Sequence, residues 1–146
     1  MGGLGENLAA GSGLVALSVL IHTVGLIVIA GAAPWVGRYL GLHNHDVGRT
    51  LMMTATVLGL LAVMTIEVWS WAIAYTLIGT TGRFSDALCL STAMFSTVGY
   101  GDVKFNPAWR LLTALEGING FLLIGRSTAY LARASTRHGP FRSEHF

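Results

Sequence analysis

Charge is what this sequence lacks most. Only 11% of its 146 residues are charged, nine Lys or Arg against seven Asp or Glu, where a soluble domain carries about 25%. With 53% hydrophobic residues as well, the chain has too little charge to coat a water-facing surface, so its composition points to a membrane protein. The net charge of +2 and the scatter of the basic residues leave no face for nucleic acid, and no nucleic-acid partner is expected. Cysteine is missing except for Cys89, which excludes an intrachain disulfide framework and any zinc site built from several cysteines of one chain. Set among Ala87, Leu88 and Leu90, Cys89 is expected to be a small buried hydrophobe. Proline is scarce, three residues against 19 glycines, a balance that suits helices packed closely through small residues. No Lys or Arg precedes the first apolar run, so the positive flank of a signal peptide is absent and that run is expected to stay in the mature protein.

Three long apolar stretches remain. Crossing about 30 Å of hydrocarbon takes roughly 20 helical residues, and 14–33 supplies that length with only His22 as a titratable interruption. A second stretch, 51–79, is apolar apart from Glu67 and carries Trp69, Trp71 and Tyr75, residue types that gather at membrane interfaces. A third, 109–131, holds Glu116, Asn119 and Arg126. The expected order is an N-terminal tail over 1–13, transmembrane helix 14–33, a cytoplasmic loop over 34–50, transmembrane helix 51–79, a connection over 80–108, transmembrane helix 109–131 and a cytoplasmic tail over 132–146. Basic residues in the first loop and the tail put both inside the cell, with the N-terminus and the 80–108 connection outside, in a multi-pass protein of the cell membrane. In the alternative, 14–33 packs peripherally without crossing. Within the connection, residues 84–95 are too few to cross and too apolar for an exposed loop, which suggests a re-entrant helix.

After that short segment stands Ser96-Thr97-Val98-Gly99-Tyr100-Gly101-Asp102. This run resembles the selectivity filter of the potassium-channel pore-domain family, for which Thr-Val-Gly-Tyr-Gly is the standard example. The resemblance covers 51–132 in the order span, pore helix, filter, span. It implies an all-α integral membrane protein: a potassium-channel pore module with one additional N-terminal transmembrane helix, assembled as a homotetramer in the lipid bilayer. A bare cation needs oxygens in place of its hydration shell, and consecutive backbone carbonyls can supply them. By resemblance the ion-binding residues are Thr97, Val98, Gly99, Tyr100 and Gly101, with K+ held at Thr97, Val98, Gly99 and Tyr100. Gly99 and Gly101 tolerate φ > 0, the Thr97 hydroxyl adds the innermost oxygens, and the Val98 and Tyr100 side chains point away from the axis. Potassium is then the permeant ion; no cofactor is expected, and no nucleophile–base pair or metal cluster suggests an enzyme.

The pore helix is expected over 84–96, with Ser85 or Asp86 satisfying its first N–H groups and the negative end of its dipole turned toward the ion path. Where some family members carry Glu in this helix, the chain has Ala93. No span carries regularly spaced arginines, so the voltage-sensor pattern is missing. Asp102, at the pore mouth, either concentrates cations or braces the filter by a hydrogen bond. Glu67 and Glu116 are intramembrane acids, bonded to the pore helix or Trp109 or else exposed to ions. Leu122, Gly125 and Ala129 are expected to line the cavity. Gly120 is either a gating hinge or a packing glycine. Arg126 either forms a positive ring that limits outward current or snorkels to headgroups. His22 is either packed and neutral or a sensor, and His43, His45, His138 and His145 raise the idea of a proton-sensing gate. The rival functions are a non-selective cation channel, softened by the missing pore-helix Glu, and a non-conducting regulatory subunit.

Overall fold

The computed structural model describes residues 3–39, 46–99, 101 and 103–138, and all regular structure among them is helical. Helix α1 spans Leu4–Tyr39, α2 Asp46–Ile78 and α3 Phe84–Phe95. A single 3₁₀ turn, Pro107–Trp109, leads into α4, Arg110–His138. At about 1.5 Å per residue α1 and α2 each run for roughly 50 Å, whereas α3 extends only about 18 Å. Among the described residues two helices are long and apolar enough to cross a membrane, over Leu4–Ala32 and Thr50–Ile78.

The sequence-based boundaries shift in three places. The expected tail over 1–13 is helical from Leu4, and the expected loop over 34–50 is helical up to Tyr39 and again from Asp46. Pro34 does not end α1, which continues to Tyr39. The third expected span, 109–131, lies within α4, but α4 is not one of the two helices that are apolar enough to cross. Glu116, Asn119 and Arg126 lower its hydropathy, and two of these three are buried against other helices. The end of α2 follows local rules: Gly79 takes φ 75°, its N–H donates to the Thr76 carbonyl at 3.3 Å, and Thr80 N–H donates to the Tyr75 carbonyl at 2.9 Å. That pair of bonds is the Schellman stop, which needs a left-handed residue just past the helix.

The core lies around the short helix. Trp71 and Tyr75 of α2, Ala87 and Leu90 of α3, and Trp109 and Leu112 at the start of α4 form one buried cluster, with Ala10, Leu14 and Val15 of α1 packed against it. α1 rests on both α2 and α4, and α3 is held between α2 and α4. The inward face of α1 sets the polar or small residues Asn7, Gly11, Ser18 and His22 beside Leu26, all buried, while Leu17, Leu20, Val24, Ile27 and Val28 are exposed. This reverses the pattern of a helix on a water-soluble protein; hydrocarbon takes the apolar face, and the polar groups must find partners inside. They do: Ser18 Oγ accepts from Trp71 Nε1 at 2.8 Å, and Asn7 accepts from Leu112 N–H at 3.1 Å and donates to the Ala108 carbonyl at 2.8 Å. Cys89 departs from expectation, being a free and exposed thiol. The buried face of α3 carries Ala87, Leu90, Ser91, Ala93 and Phe95, so position 89 falls on its other side.

Candidate ion-conduction site

α3 ends at Phe95, and the chain turns back on it at once. Ser96 N–H donates to the Thr92 carbonyl at 3.1 Å, Thr97 N–H to Met94 at 3.0 Å and Gly99 N–H to Ala93 at 3.0 Å. The last carbonyls of the helix therefore anchor the strand that follows. Along that strand φ is positive at Thr97 (62°), Gly99 (57°) and Gly101 (71°) and negative at Val98 between the first two. Glycine adopts this region freely. Thr97, which is β-branched, does so at a cost of about 1–3 kcal/mol, strain that persists only where the surroundings impose it. The sequence names Thr97 as a site residue but gives no sign of its backbone, because nothing in a threonine signals left-handed φ. Thr97, Val98, Gly99 and Gly101 are all exposed in the single chain. Tyr100 and Asp102 lie outside the described residues.

The start of α3 differs from expectation. Its N-cap is Arg83, in extended conformation and with no side-chain cap bond. Ser85 faces Asp86 instead, Oγ to Oδ1 at 3.4 Å, and Arg83 pairs with Asp86 across one turn at 3.5 Å. Both acidic-end candidates are thus engaged with side chains rather than with the helix N–H groups.

Behind the strand lies a buried carboxylate. Glu116 of α4 is fully enclosed; Ser91 of α3 donates to its Oε1 at 2.5 Å, and the Tyr75 hydroxyl of α2 donates to its Oε2. Ser91 Oγ also sits 2.9 Å from the Val68 carbonyl of α2. One acid thus joins three helices, and its partner is the pore-helix candidate. Below it, α4 presses directly on the end of α3. A Cβ at Gly120 would overlap the Phe95 carbonyl oxygen and lie 2.8 Å from that carbonyl carbon, and one at Gly117 would lie 3.5 Å from the Met94 carbonyl oxygen. Close approach to backbone is enough to require glycine at 120, with no hinge needed.

A second polar cluster ties down α1. His22 Nδ1 lies 3.0 Å from Glu67 Oε1, with both side chains fully buried, and its Nε2 lies 3.4 Å from Ser127 Oγ of α4. Glu67 is therefore bonded to α1 rather than to the pore helix or Trp109, and its Oε2 has no partner among the described residues. Arg126 is exposed, and its Nη1 donates to Thr23 Oγ1 of α1 at 3.1 Å. Leu122, Gly125 and Ala129 are exposed on α4, as are Ile118 and Phe121, on the side turned away from Glu116 and Gly120. His43, His45 and His145 lie outside the described residues.

Among the described residues no group of three or more His, Cys, Asp or Glu is placed to hold a metal ion. The arrangement instead provides a backbone strand with positive φ at Thr97, Gly99 and Gly101, hung from a helix too short to cross and clamped by two longer ones. A family model described as ion channel matches residues 61–137, which contain the second half of α2, α3, the strand and nearly all of α4. No curated protein and no solved structure matches the chain.

Proposed function

The chain belongs to the ion-channel family, and from that premise we propose that it forms a potassium-selective pore through which K+ passes passively down its electrochemical gradient. The observation that carries this is the strand after α3, with positive φ at Thr97, Gly99 and Gly101 within the sequence Thr97-Val98-Gly99-Tyr100-Gly101. A backbone that changes hand at alternate residues can turn successive carbonyls to one side, and carbonyls in a row replace the hydration shell of the ion. Thr97, Val98, Gly99 and Tyr100 provide the K+ sites, Gly101 completes the strand, and Asp102 stands at its mouth.

A strand of this kind lines only one side of an ion path, so the pore takes several copies. Four copies about one axis form the homotetramer. Exposed Leu122, Gly125 and Ala129 then line the cavity, and α4 crosses the bilayer as the inner helix. Its modest hydropathy fits a helix that faces water and protein more than lipid. With the basic residues of 34–50 and of the tail on the cytoplasmic side, the N-terminus lies outside the cell membrane.

Reconstitution of the full chain into liposomes, with K+ and Na+ flux measured side by side, tests this. K+ flux well above Na+ flux, abolished in Gly99→Ala, is the expected result. Equal fluxes of the two ions would replace it with a non-selective cation channel, and silence from fully assembled protein with a non-conducting subunit.

A further inference from the structure

The strand is suspended from α3, and α3 needs a fixed position if the strand is to keep its diameter. The helix has no side-chain cap at its N-terminus. Its buried polar anchor is Ser91, which reaches Glu116 at 2.5 Å. From Ser91 the path to the ion sites is short. Ala93 and Met94, half a turn on, hold the N–H groups of Gly99 and Thr97 at 3.0 Å each. Glu116 is in turn fixed by the Tyr75 hydroxyl of α2, and α4 is pressed onto Phe95 through Gly120.

We infer that Glu116 is the positioning residue of the filter: a carboxylate of the inner helix that sets the pore helix through Ser91 and so sets the spacing of the carbonyls that select K+. This rests on the potassium-channel function proposed above. Glu116 touches no ion; it acts through Ser91, and Tyr75 keeps it from rotating away. Both carboxylate oxygens are engaged by donors from two different helices, so the side chain has one geometry available to it. In surroundings this dry a satisfied polar network is rigid, and a partly satisfied one is not. A filter discriminates ions through the number and placement of the carbonyls around them, so loosening its support is expected to degrade selectivity before it stops conduction.

The test is the K+/Na+ flux ratio of the reconstituted chain, read alongside assembly of the protein. Glu116→Ala and Ser91→Ala should each lower that ratio about tenfold or more while K+ flux persists. The double variant Ser91→Ala/Glu116→Ala should be no worse than Glu116→Ala alone, because the two act on one path. Glu116→Gln should keep the ratio within about twofold, since its amide still accepts from Tyr75 and can donate to Ser91 Oγ. If Glu116→Ala does not assemble, Ser91→Ala, which removes one hydroxyl, carries the same test. An assembled Glu116→Ala or Ser91→Ala with the wild-type ratio would overturn the inference and leave the channel function standing. A wild-type chain that does not prefer K+ would overturn both, and the two failures are distinguished by the wild-type measurement alone.

Discussion

Two seams hold this molecule together, and they are built differently. Where α4 meets α3 the contact is backbone against backbone at Gly120 and Phe95, and the buried acid Glu116 has both oxygens engaged. Where α1 meets the rest the contacts are glycine against side chains: a Cβ at Gly11 would lie 2.5 Å from Leu115 Cδ1, the end of a flexible side chain, and one at Gly25 2.5 Å from Val63 Cγ2 and 2.9 Å from Cγ1, a branched one. The buried acid of that seam, Glu67, has one oxygen on His22 and the other unpartnered. The first seam lies wholly within the residues matched by the ion-channel family; the second joins that module to a helix outside it. The difference teaches that backbone meets backbone where the module supports the strand, whereas at Gly11, where the additional helix docks, only the end of a leucine stands in the way. Side chains can change rotamer to relieve crowding, whereas a helix backbone cannot.

The largest effect should separate the seams at their glycines. Gly120→Ala places a methyl against the Phe95 carbonyl, which neither helix can yield, so the variant should fail to assemble. Gly11→Ala meets only the end of a leucine and should cost about 1–3 kcal/mol, the usual range for one extra carbon in a packed site. Size-exclusion profiles of the two variants in detergent check this. A Gly120→Ala protein that assembles like wild type would show that α3 and α4 can part at this level, and it would reinstate Gly120 as a hinge.

Much of this was legible in the sequence, for reasons that concern particular residues. The segment 84–95 declared itself by being apolar and too short to cross, and α3 spans Phe84–Phe95. Hydropathy located the two apolar crossings but not their helix ends, because Asn7 and the carbonyl of Ala108 lie 101 positions apart in sequence and nothing local to residues 1–13 announces that contact. The inward stripe of α1, Asn7, Gly11, Ser18 and His22 at spacings of four and seven, was a visible signal of a docked face. Glu116 stood out as an intramembrane acid, but Ser91 and Tyr75 did not, since serine and tyrosine are ordinary in such segments and only the fold brings them to it. Arg126 could not be placed from sequence, because its partner Thr23 belongs to the helix whose packing was unknown.

The next effect compares the two acids. Removing Glu116 strands the buried Tyr75 hydroxyl, at about 1–3 kcal/mol, and leaves Ser91 only the Val68 carbonyl. Removing Glu67 together with His22 strands only Ser127 Oγ and relieves an oxygen that is already unpartnered. A buried polar pair replaced by apolar groups of similar size is often neutral or stabilising, by about 1–4 kcal/mol in known cases. His22→Leu/Glu67→Leu should therefore match or exceed wild-type thermal stability in detergent, while Glu116→Leu falls well below it. Were the double variant to lose as much as Glu116→Leu, the α1 seam would be as exacting as the filter seam, and the contrast between them would collapse.

The smallest effect concerns the far end of α1. The first N–H groups of a helix lack partners within it, and Leu112, third residue of α4, gives its N–H to Asn7 across the seam. Asn7 also returns a bond to the Ala108 carbonyl, so α1 both caps the helix and grips the turn before it. Asn7→Ala should cost about 0.5–2 kcal/mol, the usual worth of a capping side chain. Asn7→Asp should recover part of that, because the carboxylate still accepts from Leu112 but no longer donates to Ala108. Hydrogen exchange at the Leu112 amide separates the two roles: faster in Asn7→Ala and protected in Asn7→Asp. Equal protection in all three proteins would mean that another group covers the start of α4 when α1 loosens, and that the hold of α1 on the pore module lies chiefly at His22.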